Sequence, residues 1–291
     1  MAIWNLGSIN ADFVYSVPHI PATGETLAAT NRDVFLGGKG TNMSVAAARA
    51  GSRVCHIGAV GNDGRWAVDR LLEYGVDTRH ISVVEEDTAQ AIIAVDANGE
   101  NSIILYPGAN AAIPLASVQT ALSEAQTTDW FVTQNETNLQ VEGAKLAHMM
   151  GLRVAYAAAP FDAGAIEAVL PFLHFLILNE VEMAQLQSSI GKSPKELGID
   201  TVIVTKGAKG ADVFEQSLGW EVQSFDAIPV TPVDTTGAGD TFTGYTLAGL
   251  DRGMPLAQAI QMATKAGALM VTRHGTADVI PDLLEVQNFR P

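Results

Sequence analysis

From about residue 40 onward the chain alternates between two hydrophobic periodicities. Stretches at 42–50, 67–74, 115–125, 139–150 and 180–187 place apolar residues three and four apart, the spacing of one buried helix face. Between them lie short apolar or β-branched runs at 54–60, 130–132, 154–157, 174–178 and 201–205. Strand, helix, strand in succession predicts an α/β fold, with a central, mostly parallel sheet flanked by helices. The longest apolar run, 169–178, is interrupted by Pro171 and His174. It reads as a helix end followed by a buried strand and is too short to span a bilayer.

Two segments break the rhythm. Residues 12–35 hold strand-like pieces around the turn Pro21-Ala22-Thr23-Gly24, and residues 90–106 read as two strands joined by Asn98-Gly99, a strong hairpin signal. With no helix between them, they predict a small β-sheet lid beside the α/β body, formed by about 12–35 and 90–106. An ordinary edge hairpin fits the same pattern. No linker or repeat divides the chain, so a single domain over 1–291 is expected.

Composition narrows the partners. Against 17 Lys and Arg stand 32 Asp and Glu, a net charge of −15, which argues against nucleic acid or an anionic membrane. A phosphate ligand stays compatible, because backbone amides can hold one. At 47% hydrophobic residues the chain is not mainly disordered. The lone Cys55 excludes an internal disulfide and a multi-cysteine zinc site, and residues 1–6 lack a signal-peptide pattern. Together these predict a cytoplasmic location. The six histidines, scattered in sequence, form no metal-ligand spacing and are expected to be structural or superficial; Trp4 and Trp130 are expected in the core.

Three segments carry candidate chemistry. In Val233-Asp234-Thr235-Thr236-Gly237-Ala238-Gly239-Asp240 an apolar lead enters small residues that open a helix pattern through Phe242, Tyr245, Leu247 and Leu250. Exposed N–H groups at a helix start favour an anion. Asp240 beside them reads either as a base that takes a proton from an attacking hydroxyl or as a helix cap. Gly37-Gly38-Lys39-Gly40-Thr41-Asn42 permits close approach of a polar ligand, with Lys39 and Asn42 as donors, or is a turn capped by Asn42. Gly7-Ser8-Ile9-Asn10-Ala11-Asp12 follows the first strand, where open α/β sheets bind ligands. Asn10 and Asp12 suit sugar hydroxyls, or a surface turn with local Asx bonding.

Taken together, these segments resemble the ribokinase-like branch of the PfkB carbohydrate kinase family. Its N-terminal Gly-Gly-Lys-Gly-x-Asn is met by Gly37 to Asn42 and its C-terminal Asp-Thr-x-Gly-Ala-Gly-Asp by Asp234 to Asp240. Pro107-Gly108-Ala109-Asn110 and Asn179-Glu180-Val181-Glu182 extend the likeness. The resemblance implies an ATP-dependent kinase acting on a primary hydroxyl of a small sugar, ribose first. A nucleoside kinase of the same fold, with Phe13, Tyr15 and Tyr106 toward a base, is the alternative, and a sensor without chemistry is a third reading. Asp240 would be the catalytic base, and Gly237, Ala238 and Gly239 the anion hole. Asn10, Asp12, Gly38, Lys39, Asn42 and Glu136 would hold the sugar. Asn179 and Glu182 would organise Mg²⁺ through water, and Asn179, Thr205 and Gly207 would lie on the nucleotide side. Asp234, Thr236, Met270, Arg273 and Gly275 would hold K⁺, although Val279 falls at a typical serine. Trp66 at a family glycine and 156–160 at an Asn-Pro-Ala position are further departures. A homodimer through the lid is expected.

Overall fold

A computed structural model of the chain describes residues 1–290. In chain order the first half comprises β1 (Ala2–Leu6), β2 (Asn10–Ser16), β3 (Asn31–Gly37), α1 (Lys39–Arg49), β4 (Arg53–Val60), α2 (Arg65–Glu73), β5 (Asp77–Val83), β6 (Ala89–Val95), β7 (Asn101–Tyr106) and α3 (Leu115–Leu122). The second half comprises β8 (Trp130–Gln134), α4 (Gln140–Met149), β9 (Arg153–Ala157), α5 (Ala163–Val169), β10 (Phe175–Asn179), α6 (Glu180–Ile190), β11 (Thr201–Thr205), β12 (Ala211–Glu215), β13 (Val222–Phe225), α7 (Ala238–Asp251), α8 (Leu256–Met270) and α9 (Leu283–Asn288).

The large sheet runs β13-β12-β11-β10-β9-β8-β1-β4-β5, with β12 antiparallel to both its neighbours and every other pair parallel. Helices cover both faces, as the alternating pattern predicts. Each face buries its own core. On β1, Ile3 packs into one layer with Met43, Tyr245 and Met270, whereas Trp4 and Leu6 pack into the other with Phe131 and Tyr156. This is the period-two alternation of a strand. Complete burial of one such large side chain contributes on the order of 1.5–3 kcal/mol. Asn5, on the Ile3 side, is a buried polar exception.

The second sheet is β3-β2-β6-β7, built from the two segments that broke the rhythm. Its central pair β2–β6 is parallel, and the two outer pairs are antiparallel. The strands β5, β12 and β13 and the helices α5, α8 and α9 were not expected from the sequence. β5 and β13 lie at the rims of the large sheet and are half exposed, so their apolar spacing is weak.

Two features of this frame place the site. The parallel strands end on one side of the sheet, where Gly7, Glu136, Asn179 and Thr205 follow or close them. Helices α1 and α7 approach closely because Gly244 has no side chain. A Cβ there would lie 2.6 Å from both the Ala46 side chain and the Met43 carbonyl. That contact brings the start of α1 to the start of α7.

Candidate active site

The turn after β1 meets the first turn of α1. Gly38 precedes the helix with φ 96°, and a Cβ there would press on the Ser8 carbonyl. The Ser8 carbonyl accepts hydrogen bonds from Thr41 N (2.9 Å) and Thr41 Oγ1 (3.1 Å). Gly7 and Gly40 cross so tightly that a Cβ on Gly7 would sit 2.6 Å from Gly40 Cα. Above this crossing, Ser8 Oγ accepts from Gly40 N (3.1 Å) and donates to Glu136 Oε2 (2.5 Å), which also accepts from Lys39 N (3.0 Å). The sequence thus brings Lys39 and Glu136 together, with Ser8 as the link.

Asn10 and Asp12 lie on β2 against the same crossing. Asn110 Oδ1 accepts from Ile9 N (3.0 Å), and Asn110 Nδ2 donates to Asn10 Oδ1 (2.8 Å). The Asn10 amide is thereby oriented with its Nδ2 left to donate. Asp12 is buried, and its Oδ1 has no hydrogen-bond partner. Burial, then the Glu136 carboxylate, push Asp12 up to about 7 against the pull of Lys39. Near neutral pH it therefore both donates and accepts.

Asp240 sits in the first turn of α7. The residue before the helix, Gly237, is left-handed (φ 75°) and supplies no side-chain cap. Ala238 N spends its hydrogen on Thr235 O at a long 3.3 Å, whereas the N–H groups of Gly237, Gly239 and Asp240 have no acceptor among the described residues. Asp240 is not the helix cap: its Oδ2 accepts from Asn42 Nδ2 (2.9 Å). Asn42 likewise does not cap α1, which starts at Lys39. Its Oδ1 is buried without a partner beside Asp240. Burial pushes Asp240 up to about 6, opposed by Lys39 and the Asn42 hydrogen bond and reinforced by Glu136 and Glu182. Burial alone would lower Lys39, but the carboxylates of Asp240, Glu136, Glu182 and Asp12 outweigh it and hold the ammonium above its ordinary value.

Lys39 and Asp240 also line a cavity of about 690 Å³ that extends along the strand ends. Asn179, Glu182, Thr205 and Gly207 line it, as do Thr236, Gly237, Ala238 and Gly239. Its far wall, including Ile228, Val230 and Val271, is apolar. Lys206 and Lys209 are turned to Asp212 (2.6 Å) and Glu180 (3.5 Å) instead of to the cavity. Ala158 and Ala159 line it where an Asn-Pro-Ala pattern would differ, while Tyr156 is fully buried in the core. Trp66 is 38% exposed at the start of α2.

Asn179 and Glu182 form a reciprocal capping box at the start of α6. Asn179 Oδ1 accepts from Glu182 N and Glu182 Oε2 accepts from Asn179 N, both at 2.8 Å. Glu182 lines the cavity with its Oε1 free of any hydrogen bond, and no cluster of three or more His, Cys, Asp or Glu fit to hold a metal occurs among the described residues. This donor set suits an ion that keeps its waters, as Mg²⁺ does, and not an all-protein cage. Farther along, Asp234 Oδ1 accepts from Thr236 N (2.9 Å) and Oδ2 from Gly275 N (3.3 Å). This draws together Asp234, Thr236 and the 270–275 turn. Arg273 points its guanidinium away, to Glu285 (2.6 Å), and Val279 packs against Gly275 without offering a ligand.

Ser8 and Asn110 belong to the site, yet sequence reasoning assigned them no role. Both were inside noted segments, but their partners lie 128 and about 100 positions away, so no local pattern announces them.

The model for the pfkB family carbohydrate kinases matches residues 3–283. A ribokinase of Haemophilus influenzae is 36% identical over 299 residues, spanning 98% of this chain and 96% of its own. The solved ribokinase of Thermotoga maritima superposes with a TM-score of 0.89 at 33% identity, covering 99% of this chain and 98% of that one. The Arabidopsis thaliana ribokinase complexed with ribose and ATP gives a TM-score of 0.85 at 26% identity, covering 100% of both. Agreement of this extent along both sequence and fold means that the chain belongs to the pfkB family of carbohydrate kinases.

Proposed function

We propose that this chain is an ATP-dependent kinase that phosphorylates a primary hydroxyl of ribose. The observation that carries the reading is the position of Asp240. Its carboxylate stands on the cavity, beside the free amides at the start of α7 and the unpartnered Asn42 oxygen, and shares the Lys39 ammonium with Asp12 and Glu136. The relatives named as ribokinases, one of them with ribose and ATP, support the same assignment.

In this reading Asn10 donates to one sugar oxygen, Asp12 and Asn42 Oδ1 engage sugar hydroxyls, and Lys39 and Glu136 close that end. Asp240, held by Asn42, takes the proton of the attacking hydroxyl. The N–H groups of Gly237, Gly239 and Asp240, with the dipole of α7, stabilise charge on the transferring phosphoryl group, and Ala238 contributes backbone shape. The triphosphate runs past Asn179 toward Thr205 and Gly207, and the base lies against the apolar far wall. Glu182 and Asn179 would hold Mg²⁺ through water, and the ion, when bound, neutralises phosphate charge. Asp234, Thr236 and the carbonyls of Met270, Arg273 and Gly275 would hold K⁺, which would supply positive charge near the phosphoryl site.

A coupled ADP-release screen over pentoses, hexoses and adenosine tests this. Ribose should exceed every other acceptor in kcat/KM by about tenfold or more. EDTA should abolish turnover, and K⁺ should raise it. Faster turnover of adenosine would make the chain a nucleoside kinase, and no ADP release with any acceptor would overturn the reading.

The outer sheet is the proposed lid, which excludes water during transfer, and the proposed dimer contact. Ile92, directly opposite Ile104, is 41% exposed, and Ile103, Ile104 and Leu105 are 51%, 65% and 59% exposed on the rim strand β7. An apolar rim strand of this kind is a pairing surface. Ile104→Glu should therefore convert a dimer to a monomer in light scattering; an unchanged mass would remove this contact. No helix among the described residues is long and apolar enough to cross a membrane. The buried free thiol of Cys55 suits the cytoplasm.

A further inference from the structure

Directly under the Gly7–Gly40 crossing lies a chain of buried hydrogen bonds that the reaction described above does not use. It joins Asn5 on β1, Ser44 on α1, His56 on β4 and Gln134 on β8, all fully buried. Gln134 Nε2 donates to Asn5 Oδ1 (2.8 Å). Asn5 Nδ2 donates to Gly40 O (2.7 Å) and to Ser44 Oγ (2.8 Å). Ser44 Oγ pairs with His56 Nδ1 (2.8 Å), and His56 Nε2 pairs with Gly7 O (3.0 Å).

The direction of the chain is fixed by chemistry. The Gly7 carbonyl only accepts, so His56 Nε2 carries the hydrogen and Nδ1 accepts from Ser44. Burial pushes the imidazole down to about 4, which keeps it in this neutral form. The carbonyls of both crossing glycines are thus gripped from below, while Ser8 and Thr41 tie the crossing from above. The neighbouring backbone is shaped around the ring: a Cβ on Gly58 would lie 2.9 Å from His56 Nε2 and 3.0 Å from Gly7 O. Four buried polar side chains are a costly way to fill a core between strands unless their geometry is needed.

We infer that His56 is a positioning residue for the acceptor end of the active site. Through Gly7 O and Ser44 it fixes the crossing, and the crossing sets Ser8, Glu136 and Lys39 where the acceptor binds. This rests on reading that end as the sugar site.

The test measures sugar KM and nucleotide KM separately in full-length His56→Leu, Ser44→Ala, the double variant and His56→Gln, with melting temperatures alongside. His56→Leu should raise the sugar KM about tenfold or more and leave the nucleotide KM within about twofold. Ser44→Ala should shift the same ratio, and the double variant should be no worse than His56→Leu, because both cut one chain. His56→Gln, whose amide can donate to Gly7 O, should recover part of the loss. If His56→Leu does not fold, Ser44→Ala decides by the same ratio. Lower melting temperatures with both KM values unmoved, or both moved equally, would overturn the assignment and leave the chain a structural filler. The parent enzyme separates the two claims: ribose turnover in the parent with unmoved ratios sinks this inference alone. A parent that accepts no sugar sinks the functional reading and this inference with it.

Discussion

Asp240→Asn is expected to lower turnover by about 10²–10⁴-fold while sugar and nucleotide KM stay within a few-fold, since general-base assistance is worth that much and the amide keeps the side chain's shape. The parent should also lose kcat/KM as pH falls below about 6, because only the ionised carboxylate accepts a proton and burial holds this one at about 6. The stability consequence runs the other way. A carboxyl whose folded value is raised binds its proton more tightly when folded, so its contribution to stability falls as pH rises from about 4 to about 6 and then levels. At pH 7 to 8 the neutral amide relieves that cost, worth up to about 3 kcal/mol, and the variant should melt no lower than the parent. ADP-release kinetics and calorimetry on the same samples read both effects. Turnover near the parent's would remove Asp240 from its role.

Gly40→Ala should cause a large loss of stability. Its Cβ would run into Gly7 Cα, Gly7 C and Ser8 N, all of them backbone, so no flexible side chain can yield. Overpacking of this kind costs on the order of 1–3 kcal/mol or more, and the melting temperature should drop by several degrees. The displaced turn carries Ser8, so the sugar KM should rise as well. Gly239→Ala is the stability control: its Cβ would meet nothing within 4 Å, and alanine favours the helix by about 1 kcal/mol. Equal melting temperatures for Gly40→Ala and the parent would show that the crossing is not rigid.

Much of this molecule is legible in its sequence where one stretch states both the structure and its reason. The runs at 130–132 and 201–205 are apolar and β-branched because both faces are buried, and β8 and β11 appear there. The glycines at 37, 38 and 40 announce close backbone approach, and Gly237 the left-handed turn into α7. Legibility fails where the determinant is a distant partner. That Asn42 leaves the cap of α1 free is decided by Asp240, 198 positions away. The parallel pairing of β2 with β6 brings together two segments that each looked like local hairpin material. Half-exposed rim strands such as β5 have too few buried positions to mark themselves.

The contact of Gly244 with Ala46 has an evolutionary side. It packs the helix bearing Lys39 and Asn42 against the helix bearing Asp240, so the Asn42–Asp240 contact is inherited from core packing. Mutational libraries confined to β6 and β7 should therefore leave many active variants, whereas equally large libraries along α1 and α7 should yield mostly dead ones.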